Sequence, residues 1–362
     1  MTGLAPGFWR GRSVFVTGHT GFKGGWLVTW LAEMGADVCG YALSPVTKRS
    51  YFVLCDLKRK VKSVIGDVRD VSALTRSMQS AQPDMVIHLA AQPLVRHSYH
   101  DPLATFETNV MGTANLLDAM RRTPSVRAAV IVTSDKCYYP YGISSGYREQ
   151  DRLGGIDPYS SSKACAELVV DAYIRSFFER SETPVAVATV RAGNVIGGGD
   201  WADDRIVPDA IRALERAEPL TVRNPDSVRP WQHVLEPLAG YLMLARKLFE
   251  DGLKFAGAWN FGPGSAAEIT VGELADLLIA YWGRGSWRHS EEQNALPETA
   301  ALGLNSTKAL CELGWSPRLS IEETIRLTID WYRRAICAES GDMYAFSAKQ
   351  IQHYDGPMTN GG

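Results

Sequence analysis

No stretch of this 362-residue sequence approaches the ~18 consecutive apolar residues of a membrane span. The opening MTGLAPGFWRGRSVFVTG has no uninterrupted apolar run of the kind a signal peptide needs. A basic excess is missing too: 38 Lys and Arg against 40 Asp and Glu leave −2 with His neutral. Nucleic-acid binders concentrate positive charge on one face, so no such partner is expected. Cys39, Cys55, Cys137, Cys165, Cys311 and Cys337 form no CxxC pair, which argues against a zinc site and against a secreted disulfide scaffold. Internal repeats and low-complexity tracts are absent as well. What is left is a chain expected to be soluble and cytoplasmic, with reduced thiols and no metal or membrane partner.

The composition, 45% hydrophobic and 22% charged, is ordinary for a globular protein able to bury a large core. Short apolar runs alternate with helical patterns: SVFVT before 22–35, DVCGYAL, VKSVI before 70–82, DMVIHLA before 103–122, AAVIVTS before 157–180, then VAVATV. That rhythm predicts βαβ units: an α/β fold with a Rossmann-type doubly wound parallel sheet over residues 1–190. After Val190 glycine and proline become dense, and helices are predicted near 236–250, 270–282 and 320–337. Residues 191–229 and 262–338 are expected to form a smaller mixed α/β substrate lobe, with about 230–261 rejoining the first domain. The polar stretch 339–362 is expected to be a partly mobile tail.

VFVTGHTGFKGGWL sets Gly18, Gly21 and Gly24 in a GxxGxxG turn between a strand and a helix. Such glycines let backbone approach a pyrophosphate at the helix N-terminus, where free N–H groups and the dipole favour an anion. Thr20, Phe22 and Lys23 belong to the same turn, and Lys23 adds positive charge. In IGDVRD, Asp67 can accept from an adenine amine, with Val68 beside it. In HLAAQP, Ala90 and Gln92 let a cofactor lie close, while Asn109 either contacts it or braces the neighbouring helix. The end of the second strand, GYALSP, lacks the acid that binds an NAD ribose, and Lys48 and Arg49 follow. This region alone leaves NAD and NADP open.

DPYSSSKACAEL puts Tyr159 and Lys163 four apart, hence on one helix face. A free phenol titrates near ~10, and an ammonium nearby makes a tyrosine a usable base at neutral pH. TSDKCY adds Ser134, Asp135 and Lys136 at the mouth of the predicted fifth strand. Tyr159, Lys163 and the glycine turn resemble the extended, sugar-nucleotide branch of the short-chain dehydrogenase/reductase superfamily. Further segments, AAQPLVRHSY, TNVMGTANLL, VRAGNVIGGGDWADDRIVPD, RPWQHVLEPLAGYL and AWNFGP, resemble in this order the bacterial CDP-glucose 4,6-dehydratases, from roughly residue 8 to 335.

The resemblance implies a lyase that keeps NAD through its cycle and acts on a nucleotide sugar, in deoxysugar and O-antigen biosynthesis. Tyr159 with Lys163 would take the O4 proton while NAD accepts hydride, and Ser134 would hold the C4 oxygen. Asp135 would protonate the leaving C6 hydroxyl, Lys136 would remove the C5 proton, and hydride would return to C6. These roles need Asp135 protonated and Lys136 neutral, against free values of about 3.9 and about 10.4; burial pushes both that way. Asn194, Trp201, Arg205 and Arg229 match positions for sugar, base or diphosphate, and His233 and Glu236 read as structural. The loop YPYGISSGYRE, 139–146 above all, departs from the family and is expected beside the sugar, leaving hexose and nucleotide open. A nucleotide-sugar 4-epimerase is the alternative, and a non-catalytic NAD sensor a third. By analogy, helices 103–122 and 157–180 would build a homodimer.

Overall fold

Most of the apolar runs become strands buried on both faces, as a parallel sheet covered by helices requires, and the VKSVI run, exposed or half-buried, becomes an edge strand. The computed structural model describes residues 4–143, 145–264, 267–290, 303–337 and 341–356. A turn of helix, α1 (Pro6–Trp9), precedes β1 (Ser13–Thr17), α2 (Phe22–Glu33), β2 (Asp37–Ala42) and the short α3 (Tyr51–Leu54). Next come β3 (Lys62–Ile65), α4 (Val71–Ala81), β4 (Met85–His88), α5 (Val95–His100), α6 (Pro102–Phe106), α7 (Gly112–Arg121), β5 (Ala128–Val132), α8 (Pro158–Tyr173) and β6 (Ala186–Arg191). The segment after β6 holds β7 (Val195–Ile196), α9 (Ile206–Glu215), β8 (Leu220–Val222), β9 (Val228–Pro230), β10 (Gln232–His233) and α10 (Leu235–Asp251). The chain continues through β11 (Gly257–Asn260), β12 (Glu268–Thr270), α11 (Val271–Trp282), β13 (Trp287–His289), α12 (Ile321–Ile336) and α13 (Met343–Asp355).

Seven strands form one parallel sheet in the order β11, β6, β5, β4, β1, β2, β3. Its direction of winding reverses between β1 and β4, where open α/β sheets leave a crevice at the strands' carboxyl ends. Side chains alternate across the sheet. Val14, Val16, Val130 and Val190 pack on one side with Trp26, Trp30 and Leu238; Phe15, Val86, Ile131 and Val187 pack on the other with Leu74, Met78, Leu116 and Val170. β11 returns to this sheet beside β6, while short two-stranded pairings, β7 with β10, β8 with β13 and β9 with β12, lie past its carboxyl edge. No described helix is long and apolar enough to cross a membrane.

Two expectations change here. The helix over 103–122 is interrupted: α6 and α7 are joined by a wide turn at Glu107–Met111 that buries Asn109. Such bulges re-aim one side chain without ending the helix. The tail is also not a loose tail in its described part. α13 is capped by Asp342, which accepts from the Ala345 N–H at 3.0 Å, and buries Met343, Ser347, Ile351 and Tyr354 against α2 and α12. Its polar residues are partnered: Ser347 accepts from Trp331 Nε1 at 2.9 Å and Tyr354 donates to buried Glu236 at 2.6 Å. Those partners lie far away in sequence, so composition alone misread the segment. Residues 338–340 and 357–362 lie outside the described ones.

His19, His88 and His233 are buried, and burial lowers their pKa values to about 4, about 3 and about 3. Each folded value lies below the unfolded ~6.5, so the stability they confer is present above that pH and lost as pH falls. Unfolding between pH 6 and 4 should therefore take up close to three protons from these residues, a loss of up to about 4 kcal/mol per pH unit. Urea titrations across that range check it; a midpoint that does not move rules it out.

Candidate active site

The dinucleotide end is built by the β1–α2 turn. Gly18 has φ +77°, and a Cβ there would lie 2.7 Å from the Ala90 nitrogen; one on Gly24 would lie 2.1 Å from the Gly18 carbonyl oxygen. Only glycine lets these three backbones meet. The N-terminus of α2 has no side-chain cap, so its first N–H groups are left for an anion. Gly18, Thr20, Gly21, Phe22, Lys23, Gly24, Asp67, Val68, Ala90, Tyr159 and Lys163 all line a cavity of about 300 Å³ here. Asp67 is held by Arg69 (2.6 Å), which keeps its carboxyl below the usual range. Gln92 and Asn109 do not belong to this wall. Asn109 accepts from the Gln92 N–H (2.8 Å) and donates to the Gln92 carbonyl and the Ser162 hydroxyl, so it braces the loop after β4 against α8.

A larger cavity of about 580 Å³ opens toward the segment after β6. Ser134, Asp135, Lys136, Tyr159, Asn194, Arg205 and Arg229 line it. The two cavities share Lys23, Pro93, Ser134, Tyr159, Ala192 and Arg205, so the glycine turn and the β5 end face one space.

The local sequence explains each position. Asp157 caps α8, accepting from the Ser160 N–H at 2.9 Å, and Pro158 fits the first turn; Tyr159 thereby enters the helix next to the β5 end. Ser98 accepts the Tyr159 N–H at 3.1 Å. Burial raises the Tyr159 phenol to about 12, opposed by the Ser134 hydroxyl and assisted by the Asp135 charge. Lys163 donates to the Val132 carbonyl at 3.3 Å, and burial lowers its ammonium to about 8. Lys23 is lowered to about 8 by the same loss of water and by the Arg205 charge. Ser134 donates to Asp135 at 2.9 Å and caps the turn carrying Lys136.

Trp201 is not on the cavity wall. Its ring lies under the Arg49 guanidinium at 3.7 Å and edge-on to Tyr332, a packing role. The described residues of the 139–146 loop are on neither cavity wall, and Tyr147, which follows them, donates its N–H to the Gly303 carbonyl (2.8 Å) and stacks on Tyr138. Ser144 lies outside the described residues. His233 and Glu236 are packed in the core, Glu236 accepting from the Arg318 and Leu319 N–H groups.

Sequence reasoning missed the support of the site. Glu167, one turn beyond Lys163 on the same helix face, accepts from Thr133, Thr189 and both Arg191 Nε and Nη2 at 2.5–2.8 Å. A carboxylate on the buried face of α8 was the available signal. Gly193 was missed too: a Cβ there would stand 2.1 Å from Asp135 Oδ2.

A doubly wound, glycine-turn α/β fold whose β5 end faces a buried tyrosine and lysine four apart is the architecture of a short-chain dehydrogenase/reductase. The sequence model described as GDP-mannose 4,6 dehydratase matches residues 15–328, and the chain belongs to that family. It is 47% identical to the CDP-glucose 4,6-dehydratase of Salmonella typhimurium, covering 96% of this chain and 97% of that one. A dTDP-glucose 4,6-dehydratase of Xanthomonas campestris is 28% identical over 88% of this chain and 92% of its own length. Among solved structures, the dTDP-glucose 4,6-dehydratase DesIV of Streptomyces venezuelae, with NAD bound, superposes with a TM-score of 0.75 at 26% identity, covering 88% of this chain and 96% of that one.

Gly193→Ala should displace the Asp135 carboxyl and lower kcat by about 100-fold with nucleotide affinity little changed, since sub-ångström to ångström misplacements cost that much. Equal kcat for the variant counts against the packing argument. Arg191→Met leaves Glu167 buried without its partner and should cost about 3–5 kcal/mol in chemical denaturation.

Proposed function

We propose that this chain is a nucleotide-sugar 4,6-dehydratase that converts CDP-D-glucose to CDP-4-dehydro-6-deoxy-D-glucose and water, with NAD as its cofactor. The observation that carries the reading is that the Tyr159 phenol and the Ser134 hydroxyl, on the wall common to both cavities, line the larger one together with the Asp135 carboxyl and the Lys136 amine. An epimerase needs the phenol and not the Asp135–Lys136 pair. The 47% identical relative is itself a CDP-glucose 4,6-dehydratase.

The residues present fit NAD. The glycine cradle and the uncapped α2 N-terminus suit a pyrophosphate, with Thr20, Phe22, Val68, Ala90 and Lys163 along the remaining length. Lys48 is exposed and Arg49 is paired with Glu215 at 2.6 Å. Bound NAD supplies the two-electron acceptor needed at sugar C4 and the donor needed afterwards at C6.

The chain's own groups move the protons. Tyr159 takes the O4 proton, with the Ser134 hydroxyl and the Arg205 charge opposing the rise that burial imposes on its phenol, and Ser134 holds that oxygen by a hydrogen bond. The resulting ketone acidifies the C5 hydrogen. Lys136 removes that proton, Asp135 protonates the C6 hydroxyl as the C6–O bond breaks and water leaves, and Lys136 returns a proton to C5 once C6 has been reduced. Arg205, held by Asp200 at 2.8 Å, and Arg229 bind the diphosphate, and Asn194 the sugar. In this reading residues 191–229 and 262–338 are the nucleotide-sugar lobe. The enzyme works in the cytoplasm as a homodimer joined over the apolar residues that α6, the turn before α7, and α8 leave exposed: Leu103, Met111 and Leu168.

Incubation of the protein with CDP-, dTDP-, GDP- and UDP-glucose, followed by mass spectrometry, should give loss of one water from the CDP sugar above all. An epimerised product without water loss from any of them removes the lyase reading. Lys136→Ala should lower dehydration at least ~100-fold and abolish deuterium uptake at C5 from heavy water; undiminished exchange refutes the base role.

A further inference from the structure

The Ser134 hydroxyl has two claims on it. It donates to Asp135 Oδ1 at 2.9 Å, the one side-chain donor bonded to this carboxyl among the described residues. It also lies within bonding reach of the Tyr159 phenol. A hydroxyl carries a single hydrogen. In the dehydration that hydrogen goes to the C4 oxygen of the sugar, while Asp135 gives up its own proton and becomes a buried carboxylate. A buried carboxyl left without a donor holds its proton too firmly to be a useful acid.

Two buried side-chain atoms in this part of the core have no hydrogen-bond partner: the Tyr241 hydroxyl and Gln232 Oε1. Tyr241 stands on α10 and Gln232 on β10, both buried. A short strip of backbone joins them to the acid. Gly193 touches Asp135 so closely that a Cβ would stand 2.1 Å from Oδ2, and Gln232 Nε2 donates to the carbonyls of Gly193 at 3.2 Å and Phe261 at 3.0 Å. The Phe261 ring meets Tyr241 edge-on, with centroids 5.6 Å apart. Burial raises the Tyr241 phenol, and the charges of Asp135 and Tyr159 add to the rise, so it stays protonated within electrostatic reach of the carboxyl. Gln232 Oε1 can only accept, so of the two unpartnered atoms only the phenol can serve a carboxylate.

The other groups around Asp135 are less free to do so. Lys23, which its charge also reaches, and Lys136 line the cavity, where ligand oxygens compete for them. Cys137 offers only a weak S–H donor. Tyr241 belongs to neither cavity wall and so meets Asp135 from the protein side.

We propose that Tyr241 is the positioning residue of the acid: as Ser134 turns to the C4 oxygen, the Tyr241 hydroxyl takes its place as donor to Asp135. The proposal rests on the dehydratase reading above. One donor replaces another, so the carboxyl is as strong an acid with sugar bound as without it. The phenol touches neither sugar nor cofactor and acts only through Asp135.

Tyr241→Phe removes an unpartnered hydroxyl, so the midpoint of urea unfolding should not fall. With CDP-glucose and the NAD-loaded protein, kcat should drop about 10- to 100-fold with KM changed less than about twofold. Reduced nicotinamide should accumulate in a single turnover, because oxidation at C4 precedes the slowed step. CDP-6-deoxy-6-fluoroglucose separates acid from scaffold: fluoride leaves without a proton donor, so the variant and the unaltered protein should release it at equal rates. Fluoride release slowed as much as water loss shows a general disturbance of the site and overturns the proposal, as does water loss at the unaltered rate. A lowered urea midpoint shows that the hydroxyl already has a structural partner, and overturns it too. Failure of the unaltered protein to release water or fluoride from either substrate instead removes the dehydratase reading.

Discussion

The site depends on one buried carboxylate. Glu167 comes from α8, the helix that carries Tyr159 and Lys163, and it is bonded to Thr133 at the end of β5 and to Thr189 and Arg191 of β6. Its exposure is 4% and that of Arg191 3%. Burial alone would raise the carboxyl, yet the Arg191 guanidinium and the two hydroxyls hold it below its usual range, so it is ionised. Arg191 then reaches on to the Tyr138 hydroxyl (2.6 Å), which donates to Asn260 of β11. The chain from α8 through β6 to β11 thereby fixes the register of the phenol, the ammonium and the Ser134–Lys136 turn. In a low-dielectric interior such a network is unforgiving of partial satisfaction.

What this scaffold positions is a collection of groups that burial moves away from their free behaviour. Tyr159 is pushed up and Lys163 and Lys23 are pushed down, all by loss of water at one wall. Loss of water thus brings the two ammonium groups toward neutrality and moves the phenol away from it, and the Ser134 hydroxyl and the Arg205 charge oppose the latter. Asp135 stands in this space only because residue 193 has no side chain.

Legibility in the sequence followed the range of the interactions. The glycine turn, the Tyr159–Lys163 spacing, the Ser134–Asp135–Lys136 run and the strand–helix alternation are written in contiguous residues, and each lies where local reasoning puts it. Glu167 with Arg191, Gly193 with Asp135 and Glu236 with Tyr354 are separated by 24 to 118 positions, and no local period reports a partner so distant. The same limit explains Trp201 and the 139–146 loop. Both looked like pocket residues because of their neighbours in sequence, and both are turned elsewhere by partners, Arg49 and Gly303, that the sequence does not announce. Asn109 was readable as contact or brace, and the wide turn buries it with bonds to Gln92 and Ser162 that no local pattern announces.

The C-terminal helix has a consequence for the order of events during synthesis. α2, which opens the nucleotide cradle, is made within the first 33 residues, but Trp30 on it is covered edge-on by Tyr354, at 5.7 Å. Tyr354 is in turn anchored to Glu236. A nascent chain that has finished its glycine turn therefore carries an incompletely covered apolar helix until more than three hundred further residues have been joined. Domains made early normally fold as units while the rest is translated. Here Trp26 is covered once Tyr51 and His233 have been made, but Trp30 waits for α13, so the interval between the making of α2 and of α13 is the period in which that face needs protection from its neighbours.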